Sequence, residues 1–249
     1  MAERVQKYLS RMGRCSRRQA ERWIRQGRVA IDGFPASLGA TLAPGSTVSV
    51  VGIVVGAGSS AALNSEVLLY NKPIGRIVTR TDPANRPTVF TDLPEFDQGR
   101  WVAVGRLDIN TAGLMLFCSD GDLAHALMHP SAAVEREYMC RVRGEIVSSD
   151  LQCLKDGIEL DGHLCRFASI DPHPVGGHNR WYSVVLRQSR HREVRRLWQA
   201  VGGEVNRLIR VRYGFVKLPR DLGPAATRLA GPDVCSALYS LVGMLPPET

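Results

Sequence analysis

The stretch GRLDINTAGLMLF, residues 105–117, joins two apolar runs through a short polar loop. The runs WVAVGRL (101–107) and GLMLFCS (113–119) have the composition of buried strands. The loop between them carries Asp108, with Arg106 beside it. A neighbouring arginine lowers the pKa of a carboxyl group, and an ionised carboxylate on a rigid loop is a usable nucleophile or base. We therefore interpret Asp108 as a candidate reactive group. The alternative is a turn-forming aspartate with a structural arginine partner.

Outward from this stretch, short strands alternate with few helices. Helices are predicted for DLAHALMHP, which Pro130 ends, and for EVRRLWQAVGG, which Gly202 ends. Apolar or alternating residues predict strands in EVLLYNKP, REYMCRVRG, WYSVVLRQ and NRLIRVRYG. The last of these would place Ile209, Val211 and Tyr213 on one side, and Leu208, Arg210 and Arg212 on the other. This pattern predicts an α+β domain on a mainly antiparallel sheet. The segment ALYSLVGML predicts a terminal helix docked on this domain.

A smaller helical module precedes this domain. Val5, Tyr8, Leu9 and Met12 have helical spacing, and Gly13 ends that helix. Ser16 and Gln19 form a capping box that begins a second helix, ended by Gly27, and strands are predicted in RVAIDG and STVSVVGIVV. The small polar stretch GAGSSAALNS (56–65) has the composition of a linker. We predict two domains, residues 1–60 with the linker and residues 61–249.

The net charge of +8 is unevenly distributed along the chain. Residues 1–50 hold nine Lys and Arg against three acidic residues, and residues 176–220 hold eleven against two. The rest of the chain is acidic overall. Two basic regions on an acidic body predict a polyanionic partner such as nucleic acid. The alternative is a soluble basic protein with solvated arginines.

Several function classes have no support in the sequence. No apolar run is long enough for a membrane span, and the N-terminus has no signal-peptide core, so we expect a cytoplasmic protein. The six cysteines form no CxxC pair, no HExxH or Cys/His cluster occurs, and no phosphate-binding GxxxxGK[ST] loop is present. We therefore expect no metal site and no cofactor.

Two further segments carry candidate chemistry. Arg192, Arg195 and Arg196 have the spacing of one helix face, which could clamp phosphates or pair with a catalytic carboxylate. The alternative is a solvated cationic face. Tyr138 lies in an alternating strand, and its alternative role is a half-buried core tyrosine.

Together these stretches resemble a known family. GRLDINTAGL is similar to the GRLDxxTxGL signature of pseudouridine synthases of the RsuA branch, and residues 4–33 resemble an S4 RNA-binding domain. KPIGRIVTRTDPANRPTVF, DGDLAHALMHPSAAVEREYMCRV and REVRRLWQAVGGEVNRLIRVRYG match later family blocks in order and spacing. The text MHP…VEREY and REVRRLW is most similar to the RluB-like enzymes of large-subunit (23S) ribosomal RNA. The resemblance covers roughly residues 3–220.

The resemblance implies roles for individual residues. It implies that Asp108 is the catalytic aspartate, that Tyr138 stacks on the target uracil, and that Arg195 pairs with the aspartate. It implies contacts to the substrate nucleotide from Arg106, Thr111, Leu208, Arg192 and Arg196. It implies RNA contacts by the S4 arginines Arg14, Arg17, Arg18, Arg22 and Arg25.

The activity that the resemblance implies is isomerisation of a uridine within ribosomal RNA, with base flipping and an aspartate nucleophile. It implies no cofactor, a monomer, and large-subunit RNA or a pre-ribosomal particle as partner. The alternatives are the same chemistry on small-subunit (16S) RNA, or a non-catalytic S4-type assembly or RNA-binding factor. One departure concerns the family text EGRNRxVRR, where this chain has Gln188, Ser189, Arg190, His191 and Arg192. Because serine tolerates positive φ poorly, the turn before the helix is expected to differ.

Overall fold

Two units with separate apolar cores make up the part of the chain that the structure describes. The structure is a computed structural model, and it describes residues 3–57, 65–96, 99–173 and 179–246. We call residues 3–57 the N-terminal unit and residues 65–246 the main unit. The predicted linker falls largely on residues 58–64, outside the described residues.

The N-terminal unit has the two predicted helices. The Ser16 hydroxyl accepts a hydrogen bond from the Gln19 amide at 3.1 Å, which confirms the capping interaction that begins the second helix. The predicted strand over 46–55 is wrong as one element, because Val51 and Gly52 have positive φ and turn the chain into a hairpin. The elements are β1 (Glu3–Arg4), α1 (Val5–Arg11), α2 (Arg17–Arg25), β2 (Val29–Ile31), β3 (Phe34–Pro35), β4 (Thr41–Leu42), β5 (Thr47–Val50) and β6 (Ile53–Ala57).

The main unit is built on a nine-stranded sheet. Its order is β13-β14-β10-β15-β9-β7-β17, with β16 paired to β15 and β8 paired to β9. The β9–β15 pair is parallel and the other pairs are antiparallel, which confirms the predicted fold class. The strands are β7 (Val67–Lys72), β8 (Val102–Ala103), β9 (Ala112–Cys118), β10 (Arg136–Arg143), β11 (Ile158–Leu160), β12 (His163–Cys165), β13 (Ser169–Pro172), β14 (Asn179–Leu186), β15 (Glu204–Tyr213), β16 (Val216–Lys217) and β17 (Thr227–Leu229). The helices are α3 (Gly121–Met128), α4 (Ser148–Asp156), α5 (Glu193–Ala200) and α6 (Pro232–Leu241).

Helices cover both faces of the large sheet. Along β9, Leu114 and Leu116 belong to the apolar cluster that includes residues of α3 and α6. Met115 and Phe117 belong to the cluster that includes residues of α4 and α5. Because successive side chains of a strand point to opposite faces, the two clusters lie on opposite sides of the sheet. The expected terminal helix is α6, and its Leu238 and Tyr239 are buried.

One strand departs from the predicted alternation. Glu137 pairs with Arg212 and Tyr138 pairs with Arg210, so Val211 is an extra residue in β15. The bulge brings Arg210 and Tyr213 together, with the Arg210 guanidinium carbon 5.2 Å from the centre of the Tyr213 ring. The predicted placement of these two side chains on opposite sides is therefore wrong.

The two units touch through a polar contact. Lys7 and Arg17 of the N-terminal unit both form ion pairs with Asp122 of α3, and Arg100 donates to the Ser10 hydroxyl. The N-terminal helices therefore lie beside α3 in this structure. Within the described ranges, no helix is long and apolar enough to cross a membrane.

Candidate active site

Asp108 lies in the loop between β8 and β9, and that loop is tightly held. The Thr111 amide donates to the Asp108 carbonyl at 3.0 Å, closing a turn over residues 108–111. The Gly75 amide donates to the Ile109 carbonyl at 2.8 Å. The backbone that carries the carboxylate is thus fixed on two sides.

Lys72, at the end of β7, holds this loop in place through hydrogen bonds. Its side chain is buried, and its ammonium donates to the carbonyls of Pro73 and Asp108 at 3.0 Å and of Thr111 at 2.9 Å. An ammonium group has three protons, so every donor is used. Burial lowers the pKa of Lys72 to about 8, while the Asp108 carboxylate opposes that shift. Lys72 therefore ties both ends of the aspartate turn to one buried group.

Gly113 fixes the other end of the loop against β15. Its φ is +104°, and a methyl group on its Cα would lie 2.7 Å from the Arg210 amide nitrogen and closer still to the Arg210 carbonyl oxygen. Only glycine allows this approach, which pairs Gly113 with Arg210 in the parallel ladder. The contact sets the position of the aspartate loop relative to β15.

The carboxylate of Asp108 faces a small pocket of about 60 Å³. Tyr138 on β10 and Leu208 on β15 line it and are 6 % and 5 % exposed. Thr111 and Arg106 also line the pocket, the former buried and the latter exposed. The structure thus brings these five predicted residues together around one cavity, which the predicted Arg192 and Arg195 also line.

Arg192 lines the pocket next to the carboxylate. Its Nη1 lies 3.6 Å from Asp108 Oδ2, and both side chains are partly exposed. The predicted pairing of Asp108 with Arg195 is wrong in this structure. Arg195 instead donates to the carbonyls of Asn110 at 2.9 Å and Val205 at 2.5 Å, although it still lines the pocket. Burial and the adjacent Arg192 lower the pKa of Arg195, and the Asp108 carboxylate partly offsets them.

The three arginines do not share one helix face. Arg192 precedes α5 and has left-handed backbone, with φ of 52°, so its side chain departs from the helical spacing. Arg196 was expected to contact the substrate, but its guanidinium forms two hydrogen bonds to Asp161, at 2.7 and 2.8 Å. It does not line the pocket. Ser189 does not take up the positive φ expected before this helix, since that conformation falls on Arg192.

Sequence reasoning missed two residues at this site. Lys72 is one, and its only signal was a lysine before proline at the end of a strand. Glu193 is the other: it is 4 % exposed, lines the pocket, and accepts a hydrogen bond from the Arg190 amide at 2.8 Å. It thereby holds the turn that presents Arg192.

A second groove runs from Asp108 toward the loop at residues 77–86. Its volume is about 660 Å³. We call it the cationic groove, because its lining includes Arg86, Arg106, Arg190, His191 and Arg192. Arg86 is paired with Asp82 at 2.8 Å and Arg192 with Asp108 at 3.6 Å, so Arg106 and Arg190 are the lining arginines without an ion pair among the described residues.

The five arginines expected to contact RNA are all exposed on the N-terminal unit. Arg17 differs from the rest, because it pairs with Asp122 at 3.6 Å. Arg18, Arg22 and Arg25 follow one face of α2 at helical spacing. Within the described ranges none of these three has an ion-pair partner. They form a cationic stripe.

Within residues 3–57, 65–96, 99–173 and 179–246, no group of three or more His, Cys, Asp or Glu side chains could hold a metal ion. All six cysteines fall in these ranges and are free thiols.

Similarity to known proteins places this site in a family. Residues 66–200 match the RNA pseudouridylate synthase family, and residues 3–48 match the S4 domain. The chain belongs to the RNA pseudouridine synthase family. The aspartate loop, Tyr138 and Arg195 all lie within the first match. The chain is therefore an RNA pseudouridine synthase with an N-terminal S4 domain.

Similar curated proteins cover the whole chain. "Ribosomal large subunit pseudouridine synthase B" of Salmonella typhimurium is 46 % identical over 254 residues, covering 100 % of this chain and 86 % of the relative. The protein of the same name from Escherichia coli (strain K12) is 46 % identical over 251 residues, with the same coverage. The Pseudomonas aeruginosa protein of that name is 44 % identical, covering 99 % of this chain and 64 % of the relative.

A solved structure supports the fold. A crystal structure of a pseudouridylate synthase superimposes with a TM-score of 0.65 at 22 % identity, covering 96 % of this chain and 99 % of the other. At that identity the match speaks for the fold alone.

Proposed function

We propose that this enzyme isomerises one uridine of large-subunit (23S) ribosomal RNA, with Asp108 as the nucleophile. The observation that carries the chemistry is the placement of the Asp108 carboxylate at a pocket lined by Tyr138 and Leu208. The names of the similar curated proteins support the choice of large-subunit RNA.

The target uridine must leave its stack to reach this pocket. Flipping a base costs a few kcal/mol, least in loops and loosened structure. Stacking on an aromatic ring returns roughly 1–3 kcal/mol. We propose that Tyr138 stacks on the extruded uracil and that Leu208 packs against its other side. Thr111 and Arg106 then border the nucleotide.

Arg192 has to move when the base enters. In this structure its Nη1 lies 3.6 Å from the Asp108 carboxylate and it lines the same pocket, so the ring and Arg192 compete for the space beside that carboxylate. A backbone phosphate of the RNA offers Arg192 a competing anion. Substrate binding therefore draws Arg192 away from the carboxylate, while Arg195 stays fixed on two carbonyls.

The reaction is an isomerisation with balanced bonds. Asp108 attacks the ring or the ribose, and the bond between N1 and C1′ breaks. The uracil turns, C5 bonds to C1′, the proton on C5 is lost, and N1 gains a proton. The product has the composition of the substrate, so the net reaction needs no redox partner and no group donor. Asp108 returns to its free carboxylate.

The S4 domain supplies a second anchor on the RNA. Its exposed stripe of Arg18, Arg22 and Arg25, with Arg14 nearby, is suited to phosphates. Such contacts position an RNA without reading its sequence, so selection of the site falls to the surroundings of Asp108 and to RNA shape. We propose a monomeric cytoplasmic enzyme acting on ribosomal RNA or a pre-ribosomal particle.

Incubation of purified protein with unmodified transcripts tests this proposal. We expect pseudouridine at one site of 23S RNA and at none of 16S RNA, detected by chemical mapping. Asp108→Asn, which is nearly isosteric, should lower the rate by about 10³-fold or more while RNA affinity stays the same. Turnover by Asp108→Asn would refute the nucleophile. Modification of 16S RNA alone would refute the substrate.

A further inference from the structure

A second hollow borders the pocket that Asp108 faces, which we call the uridine pocket. Its volume is about 700 Å³. We call it the amide hollow, because its lining includes Asn110 and Gln199, beside Ile74. Arg192 and Arg195 line both this hollow and the uridine pocket, so they form the wall between the two.

The Arg195 part of that wall is fixed by hydrogen bonds. The Arg195 guanidinium joins the Asn110 carbonyl on the aspartate loop to the Val205 carbonyl on β15. Asn110 lies two residues beyond Asp108, and Gln199 lies one helical turn beyond Arg195 on α5. The two amide side chains are therefore placed beside the reacting centre by the same elements that build it.

The lining has the chemistry of a base-binding site. Both amide side chains are exposed, and no hydrogen-bond partner for either lies within the part of the chain that the structure describes. Each carries one acceptor and two donor protons, which match the edge of an unpaired base. Ile74 is 58 % exposed and offers an apolar surface for a base face.

The two sides of the uridine pocket thus differ in character. The cationic groove presents arginine and histidine side chains, which suit phosphates. The amide hollow adds two amide side chains and an apolar side chain to the charged groups of Arg192, Arg195 and Glu204. An RNA strand that crosses Asp108 would meet amide donors and acceptors in the amide hollow and none of them in the cationic groove.

We infer that the amide hollow holds the base of an unpaired nucleotide flanking the target uridine, and that Gln199 and Asn110 read its edge. This inference rests on the proposed function, because it requires the uridine to occupy the neighbouring pocket. It assigns part of the site selection to the protein surface beside the catalytic loop. The cationic stripe on the S4 domain adds affinity for RNA without selecting the site of modification.

The test uses full-length protein and RNA fragments that carry the modified site. In separate fragments, one flanking nucleotide at a time is replaced by an abasic residue, and kcat/KM for pseudouridine formation is measured. With wild-type enzyme we expect one abasic position to lower kcat/KM about tenfold, the loss of a base hydrogen bond and its packing. Gln199→Ala should show the loss on the intact fragment and no further loss on the abasic one.

Arg190→Ala in the cationic groove is the matched control. It should raise KM equally on intact and abasic fragments, since a phosphate contact does not sense the base. The inference is overturned if the wild-type enzyme is active and its kcat/KM is the same on every abasic fragment as on the intact one. It is also overturned if Gln199→Ala loses as much kcat/KM on the abasic fragment, relative to the intact one, as the wild-type enzyme does. Absence of pseudouridine with wild-type enzyme on every ribosomal RNA would instead overturn the proposed function, and this inference with it.

Discussion

At the scale of single residues, the proposed chemistry depends on how the loop holds Asp108. Lys72 bonds to the carbonyls at both ends of the aspartate turn, and its side chain is inaccessible to solvent. Removal of those donors takes one partner from the Thr111 carbonyl and leaves the Asp108 carbonyl with the Thr111 amide. Lys72 therefore acts as a positioning residue, while Asp108 meets the substrate.

Lys72→Met should lower kcat by about tenfold or more at pH 7, because a hydrogen bond contributes roughly 0.5–1.5 kcal/mol and three are lost. The pocket remains lined, so KM should change less. Single-turnover assays with pre-bound RNA measure the rate directly. Activity equal to wild type would show that the loop holds its shape without the ammonium.

The proton on Lys72 also predicts a pH profile. The folded pKa is about 8, below the ordinary 10.5, and a neutral amine cannot donate to three carbonyls. The rate should therefore fall as pH rises through about 8. Stability should move the opposite way: between pH 8 and 10.5 the unfolded chain binds more protons at this residue, so its contribution to the free energy of unfolding rises with pH.

Measurements of the rate and of the free energy of unfolding over about pH 6.5–9.5, in steps of about 0.5 pH unit, separate the effect on activity from the effect on stability. Lys72→Met is the control, since its rate should show no titration near pH 8. A flat wild-type rate over that range, or the same decline in Lys72→Met, would contradict this role.

Tyr138 carries the second prediction about a side chain at the pocket. Tyr138→Leu should lower kcat/KM by about 5- to 150-fold, the equivalent of roughly 1–3 kcal/mol of base stacking. Tyr138→Phe keeps the ring and should retain most of that binding term, with any remaining loss in kcat assigned to the hydroxyl. Equal effects of the two substitutions on KM would argue against stacking.

The sequence predicted Asp108, Tyr138, Thr111, Leu208 and Arg106 at one site, because their motifs carry the family resemblance. It predicted Arg195 as the partner of the carboxylate, whereas Arg192 lies beside it. That choice depends on left-handed backbone at Arg192, which no helical spacing encodes. Lys72 was missed for a related reason. A lysine at a strand end is usually solvated, and its burial is decided by a loop 36 residues further along the chain.

At the scale of elements, the parallel contact between β9 and β15 fixes the position of the aspartate loop relative to β15. Gly113 meets Arg210 so closely that no side chain fits between them. The bulge at Val211 follows directly and turns β15 as it passes Tyr138. The alternation in NRLIRVRYG failed as a predictor here because a bulge adds a residue without changing the composition.

Gly113→Ala should destabilise the protein by several kcal/mol and separate the loop from β15. Gly105→Ala is the matched control: its φ is also positive, at 78°, but no atom lies within 4 Å of the added methyl. It should cost only the backbone strain, about 1–3 kcal/mol. Thermal denaturation of both variants measures the difference. Similar melting temperatures would show that the β9–β15 approach relaxes easily.

At the scale of the whole molecule, charge is divided between two sites with different tasks. The S4 stripe lies on α2, and the cationic groove lies beside Asp108. Composition alone predicted these two basic regions. It could not predict that Arg17 and Lys7 pair with Asp122 of the main unit, since those pairs join residues far apart in the chain.

Substitution of Arg18, Arg22 and Arg25 by alanine should weaken RNA binding and reduce its salt dependence. Three lost phosphate contacts should lower the slope of log K against log salt by about 2–3. Arg228→Ala is the control, because Arg228 already pairs with Asp221 at 2.7 Å. Titrations at several salt concentrations measure both variants. An unchanged slope in the triple variant would place the RNA elsewhere.

Deletion of residues 1–60 tests the proposed division into domains. The separate apolar core of the main unit predicts a folded fragment that retains slow activity, with RNA affinity lowered by loss of the stripe. Circular dichroism and filter binding report the two properties. An insoluble fragment would show that the contact through Asp122 and Arg100 is required for folding.

The central claim is that Asp108 isomerises one uridine of large-subunit RNA, and a pseudouridine map of ribosomal RNA from cells lacking this protein tests it most directly. We expect one pseudouridine to be missing from the 23S RNA of these cells. The wild-type gene should restore it, and the gene carrying Asp108→Asn should not. A complete map in the deletion strain, or restoration by Asp108→Asn, would contradict it.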